Sequence, residues 1–86
     1  MRFVDKLITA KGNDAYLLKT KDISGRQAYY VLMLNPKMKQ AFLNLAPSEP
    51  ADLADYGIVI ASGFGEDVPD LKKVELQEKY GIQIIN

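Results

Sequence analysis

The stretch at residues 55–69 reads DYGIVIASGFGEDVP, and it decides the predicted fold. Residues 58–61 form a wholly apolar run that is too short for a helix and rich in β-branched side chains, which predicts a strand buried on both faces. Gly63 and Gly65 then flank Phe64, a pattern typical of a sharp turn with positive φ angles. The stretch therefore predicts a core strand that ends in a tight loop.

A helix is predicted to follow this loop. Asp67, or Val68 beside it, suits a position near its N-cap, and Pro69 is tolerated in a first helical turn, so the helix is predicted from about Pro69 to Tyr80. Gly81 suits a left-handed C-cap, after which Ile82 can pack back on Leu76. The apolar stripe of this helix is expected to be interrupted by polar residues and to consist of Leu71, Val74, Leu76 and Tyr80.

Three more strands are predicted in the first half of the chain, at residues 3–9, 15–20 and 26–34, with a short helix as the alternative for residues 3–9. Residues 22–25 have the length and composition of a hairpin loop, with Gly25 in the left-handed position. The run at 26–34 is apolar on both faces, so we place it at the centre of the sheet.

Asn35 and Pro36 predict the start of another helix, as N-cap and first helical residue. Its buried stripe is expected to contain Met38, Ala41, Phe42 and Leu45. Prolines at 47 and 50 interrupt this helix, and residues 51–56 suit one further helical turn.

The resulting order is β-β-β-α-β-α, with residues 82–85 as a closing strand or as an apolar tail on the core. We predict an α+β domain spanning residues 1–86, built as a two-layer sandwich with a mainly antiparallel sheet and both helices on one face. A chain of 86 residues has no room for a second core.

Composition narrows the possible functions. The chain has no histidine, no cysteine and no tryptophan, which removes Ser-His and Cys-His nucleophile pairs and thiolate or imidazole metal sites. No apolar run approaches a membrane span, no signal peptide is recognisable, and no disulfide framework is possible. We therefore expect a cytoplasmic protein that is not an enzyme and binds no metal or cofactor.

Charge is divided between the two halves of the chain although the net charge is zero. Residues 1–43 carry eight Lys or Arg against three Asp or Glu, a net of +5, and residues 44–86 carry three against eight, a net of −5. Either these charges intermix on the folded surface, or the molecule has a basic and an acidic end that steer partners or promote self-association.

Phe64, Glu66 and Asp67 are the candidate partner-binding residues. Phe64 either plugs a gap between the last helix and the sheet or protrudes as an aromatic anchor, with the two acids as its polar rim. Glu66, Asp67 and Asp70 could also gather around a hard cation, but capping and the helix dipole explain acids at a helix start equally well.

Lys37, Lys39 and Arg26 are the candidate anion-binding residues. The two lysines fall in the first turn of the Asn35-capped helix, where a positive charge opposes the helix dipole and suits an anion. Tyr29 and Tyr30 lie near Arg26, yet the chain lacks the aromatic pattern of base-stacking sheets.

The C-terminal part of the chain resembles a family of small uncharacterised bacterial proteins. The shared features are a Tyr-Gly pair, an Ala-Ser-Gly turn, an aromatic residue, Gly-Glu, a proline and a closing Lys-Tyr-Gly, which are here Tyr56-Gly57, Ala61-Ser62-Gly63, Phe64, Gly65-Glu66, Pro69 and Lys79-Tyr80-Gly81. The resemblance implies a compact bacterial domain and no particular activity.

The sequence thus predicts a small non-enzymatic interaction or regulatory domain. Its partner is expected to be another protein or a second copy of the chain, rather than nucleic acid or a membrane. The alternative is an anion or nucleic-acid binding module that uses the basic N-terminal half. A third hypothesis is a subunit or minor enzyme that uses Glu66 and Asp67 as acid–base groups.

Overall fold

The computed structural model describes residues 2–8, 14–21, 24–44 and 50–84, and it places four antiparallel strands in one sheet. Each strand lies beside its neighbours in the chain, in the order β1-β2-β3-β4. The strands are β1 Arg2–Ile8, β2 Asp14–Lys21, β3 Gln27–Leu34 and β4 Gly57–Phe64. The α+β class is confirmed, since helices accompany this antiparallel sheet.

The helical elements are short except for the last. A 3₁₀ helix Pro36–Met38 leads into α1 Lys39–Asn44, a second 3₁₀ helix spans Pro50–Asp55, and α2 spans Asp70–Tyr80. The predicted cap is present: the Asn35 side chain accepts a hydrogen bond from the Lys37 N–H at 3.1 Å, and Pro36 is the first helical residue. Of the stripe predicted for α1, Phe42 is buried and Met38 and Ala41 are half-buried, whereas Leu45 lies outside the described residues.

Helices cover both faces of the sheet, so the prediction that they share one face is wrong. Successive residues of β2 point to opposite faces and every one from Ala15 to Leu18 is buried, so each face needs its own cover. One face, here called the α2 face, packs Ala15, Leu17, Tyr29, Val31 and Ala61 against Val68, Leu76 and Ile82. The other, the α1 face, packs Tyr16, Leu18, Leu32 and Leu34 against Phe42 and Leu53. The arrangement has three layers instead of two.

Strand β4 lies at the edge of the sheet, so the prediction of a core strand buried on both faces is wrong. Among the described residues its only strand neighbour is β3, with which it pairs antiparallel. Ile58 is 67% exposed and Val59 is 37% exposed, whereas Ala61 is buried. An apolar run indicates a strand, but whether that strand is central depends on how many neighbours the topology supplies.

Strand β4 also carries a bulge. Val31 of β3 lies opposite Ala61 and Leu32 lies opposite Val59, which leaves Ile60 as the extra residue. Ile60 packs against the core of the α2 face, as Ala61 does. The bulge therefore turns two neighbouring side chains towards the same layer.

Both glycines within β4 are needed for close approaches. A Cβ atom on Gly57 would collide with the main-chain carbonyl of Met33, and one on Gly63 would lie 2.9 Å from the Tyr29 hydroxyl. Neither has a positive φ angle, so the turn predicted at Gly63 is instead a continuation of the strand. Gly65, with φ of 121°, is the residue that turns the chain.

Helix α2 begins at Asp70, one residue after the predicted start near Pro69, and ends at Tyr80 as predicted. Its N-cap is Pro69, and no side chain caps it, so Asp67 is not the cap. At the other end Gly81 adopts a left-handed conformation with φ of 68°, and the Ile82 N–H donates to the Leu76 carbonyl at 3.4 Å. Ile82 is buried and Ile84 packs on the same core without forming a strand, as the tail alternative expected; residue 85 lies outside the described residues.

Candidate partner-binding surface

The C-terminal half of β4 presents main-chain groups away from the sheet. In an antiparallel pair, residues that bond to the partner strand alternate with residues whose N–H and C=O point the other way. The Gly65 N–H donates to the Gln27 carbonyl at 2.9 Å. By alternation from this bond, the main-chain groups of Phe64 and Ser62 point away from β3.

The N-terminal half of β4 also directs main-chain groups away from the sheet, but the bulge has shifted its register with β3 by one residue. Here the Asn35 N–H donates to the Tyr56 carbonyl at 2.9 Å, so Gly57 and Val59 point their main-chain groups outward. The four outward residues of the strand are therefore Gly57, Val59, Ser62 and Phe64, and we call this row the outer edge of β4. No described strand pairs with it.

The side chains along β4 are apolar and several are exposed. Ile58 projects on the α2 face because it lies opposite Met33, and Phe64 projects on the α1 face because it lies opposite Ala28. Ile58 is 67% and Phe64 is 64% exposed. Natural sheet edges are commonly protected by charged residues, proline or a bulge; the sequence of β4, GIVIASGF, contains no charged residue and no proline, and the bulge at Ile60 is the one such device that it carries.

Phe64 protrudes from the sheet instead of plugging a gap. Its ring is covered by Arg26, whose guanidinium carbon lies 3.5 Å from the ring centroid. The strand that carries Phe64 and the hairpin end that carries Arg26 are neighbours in the sheet, which makes this stacking possible. The plug interpretation is wrong because a residue that is 64% exposed fills no interior space.

Glu66 and Asp67 follow Phe64 but have different surroundings. The Asp67 carboxylate lies 3.3 Å from the Lys19 ammonium of β2. Glu66 lines an open cleft of about 590 Å³, together with Lys19, Thr20, Lys21, Gln27, Ala28 and Gly65. Both acids therefore lie near lysines of β2, and Asp67 is on the α2 face because Lys19 shares that face with Tyr29, whereas Phe64 projects on the α1 face.

The three candidate anion-binding residues are not brought together. Arg26 precedes β3, whereas Lys37 and Lys39 follow it, and eight residues of strand separate the two ends by roughly 24 Å. Lys39 pairs with Asp14 at 3.2 Å, and the Lys37 N–H is already bonded to the Asn35 side chain. These residues do not form one anion site.

Helix α2 carries a second group of exposed apolar residues, contrary to the predicted stripe. Leu71 is 82% and Val74 is 51% exposed, whereas Leu76 is buried and Tyr80 packs partly against the core. The helix thus contacts the sheet mainly through its C-terminal half. The sequence feature that indicates this exposure is the position of Lys72 and Lys73, which interrupt any continuous apolar face of the helix.

The acids at the start of α2 are dispersed. Asp70 lies 3.9 Å from the Lys73 ammonium, while Asp67 pairs with Lys19. Within the described ranges no group of three or more Asp or Glu residues is placed to hold a metal ion. Among the same residues no helix is long and apolar enough to cross a membrane.

No protein-family model matches the chain, and neither the curated proteins nor the solved structures gave a match. The resemblance of the C-terminal part to a small bacterial family therefore stays a prediction. The features that bear on function are those of the molecule itself, above all the outer edge of β4.

Proposed function

We propose that this chain is a small non-enzymatic interaction module that binds a protein partner along the outer edge of β4. A sheet edge offers a row of unpaired N–H and C=O groups, and an extended partner strand satisfies them by adding to the sheet. Four residues of β4 direct such groups away from β3, and no strand among the described residues pairs with them. The exposure of Ile58 carries the proposal, since a large apolar side chain beside an open edge supplies the contact area that main-chain bonds alone lack.

Phe64 has the chemistry of an anchor in this interface. Aromatic residues are enriched among the side chains that dominate binding energy, and a mixed polar rim commonly surrounds them. Here the Arg26 guanidinium, which lies over the Phe64 ring, is a charged neighbour of this kind. Glu66 and Asp67 follow Phe64 in the chain, but Asp67 pairs with Lys19 on the α2 face. The interaction role also agrees with a composition that lacks histidine and cysteine.

Site-specific photocrosslinking tests the proposal. A benzophenone amino acid replaces Ile58 in one variant and Leu71 in a matched control, because both residues are exposed and apolar but only Ile58 lies on β4. After irradiation in cells we expect one discrete crosslinked species from position 58 and none from position 71. No product at position 58, or equal products at both positions, contradicts binding at this edge.

A further inference from the structure

We infer that the partner is a second copy of this chain, paired through an antiparallel β4–β4 contact in which Gly57 faces Phe64 of the other copy. The inference rests on the proposed function, because it names the occupant of the same edge. It makes one sheet of eight strands across a two-fold axis perpendicular to the sheet. The axis passes between the Ile60 and Ala61 positions of the two copies.

The side chains of β4 are complementary to themselves in this register. Reading the strand against its own reverse places a larger residue opposite a smaller one at all four positions, namely Phe64 and Gly57, Ile58 and Gly63, Val59 and Ser62, and Ile60 and Ala61. Directly opposite side chains in an antiparallel pair share a face and contact each other. Ile58 and Phe64, the two most exposed large apolar side chains of the strand, would thus lie opposite its two glycines. At Gly63 the Ile58 side chain would meet the ring of Tyr29, whose hydroxyl lies 2.9 Å from where a Gly63 Cβ would be.

The main-chain groups agree with the same register. Gly57 faces Phe64 and Val59 faces Ser62, and all four are residues of the outer edge. In β3 these residues lie opposite Leu34, Leu32, Tyr30 and Ala28, at regular two-residue intervals, so the bulge leaves the outer edge evenly spaced. Each facing pair exchanges two hydrogen bonds, so four pairs give about eight across the interface.

The other edge of the sheet explains why pairing would stop at two copies. Strand β1 contains Arg2, Asp5 and Lys6, whereas β4 contains no charged residue. Charges along an edge strand oppose the addition of another strand. An interface in which both copies use the same surface is closed, so the product is a dimer and not a fibre.

Directed disulfide formation tests the register, with no background because the natural chain has no cysteine. Val59→Cys and Ser62→Cys are prepared separately and then mixed under mild oxidation. Facing residues of this kind have Cα atoms about 5.5 Å apart, within the range that a disulfide spans. Two copies of position 59, or of position 62, lie roughly 9 Å apart, beyond the limit of about 7 Å.

We expect a disulfide-linked dimer predominantly in the mixture, and very little in either variant alone. Leu71→Cys mixed with Val59→Cys is the control and is expected to give no link. Equal linking in the single variants, or none in the mixture, overturns the register.

Sedimentation velocity over a concentration series tests self-association independently. We expect the natural chain to form a species of twice its mass as concentration rises, and Ser62→Pro to weaken this dimer at least about tenfold, because proline removes one outward N–H without touching the bonds to β3. Ser62→Ala is the matched control and retains the dimer. Circular dichroism confirms that both variants are folded.

A chain that stays monomeric into the millimolar range overturns self-pairing. In that case a crosslink from position 58 to a different protein leaves the proposed function standing. The absence of any such crosslink contradicts both proposals.

Discussion

Strands β3 and β4 are similar in sequence and opposite in environment. Both are eight-residue runs dominated by apolar residues, and they lie side by side in the sheet. Leu32 of β3 is fully buried, but Val59 directly opposite it is 37% exposed, and Met33 is half-buried beside an Ile58 that is 67% exposed. Among the described strands β3 has neighbours on both sides and β4 has one, so the number of neighbours, not hydrophobicity, separates a buried strand from an exposed one.

Shortening one side chain in each strand to alanine tests this comparison and has the largest expected effect. Leu32→Ala should lower the free energy of unfolding by about 2–5 kcal/mol, because it removes buried methyl groups and leaves a cavity. Ile58→Ala should change it by no more than about 0.5 kcal/mol, because the side chain is already largely in water. Urea unfolding measures both, at a concentration low enough to keep the chain monomeric.

Equal losses in the two variants would mean that β4 is buried after all. A small loss of unfolding free energy for Leu32→Ala would contradict the central position of β3 in the sheet. Circular dichroism before unfolding checks that each variant retains its strands.

The two phenylalanines extend the comparison to aromatic residues. Phe42 is buried on the α1 face, with ring centroids 4.9 Å from Tyr16 and 5.7 Å from Tyr56. Phe42→Ala should cost about 3–5 kcal/mol. Phe64→Ala should cost no more than about 1 kcal/mol, the usual size of an exposed cation–π contact such as that with Arg26.

A double-mutant cycle of Arg26→Ala and Phe64→Ala isolates that contact. We expect a coupling energy of about 0.5–1 kcal/mol in urea unfolding of the monomer. A coupling of several kcal/mol would show that Phe64 is an internal support, contrary to its exposure.

Substitution of Tyr16 is expected to have the smallest effect on stability, and only in alkaline solution. Burial raises the pKa of its phenol, the Asp14 carboxylate raises it further, and the Lys39 ammonium acts in the opposite direction. Because this pKa is higher in the folded than in the unfolded chain, the protonated phenol stabilises the folded state. This contribution is complete below the ordinary tyrosine pKa of about 10, and it is lost as the pH rises through the pKa of the folded state. We therefore expect Tyr16→Phe to remove part of the alkaline fall in stability.

Denaturation at a series of pH values on the natural chain and on Tyr16→Phe measures this difference. The two curves should run parallel below about pH 9 and converge or cross above about pH 10. Parallel curves across the whole range would contradict a raised pKa at this position.

The features that the sequence predicts well are those that depend on one residue and its immediate neighbours. Asn35 and Pro36 start a helical segment because a side-chain acceptor and a fixed φ angle are local properties. Gly25 and Gly81 have positive φ angles, as predicted, because glycine alone pays no steric cost there. The exposure of Phe64 was left open, since flanking glycines do not show which way a ring points.

By itself, then, the sequence determined which segments form strands and helices, the cap at Asn35, the turns at Gly25 and Gly81, and that β2 and β3 offer apolar side chains on both faces. Only the tertiary structure decided that α1 and α2 lie on opposite faces, that β4 is an edge, and that Ile58 is exposed. The physical reason is that hydrogen bonding and steric limits act over a few residues, whereas burial depends on what packs alongside. The run at 58–61 satisfies every local condition for a core strand, and only the absence of a described strand beyond it leaves it at the surface.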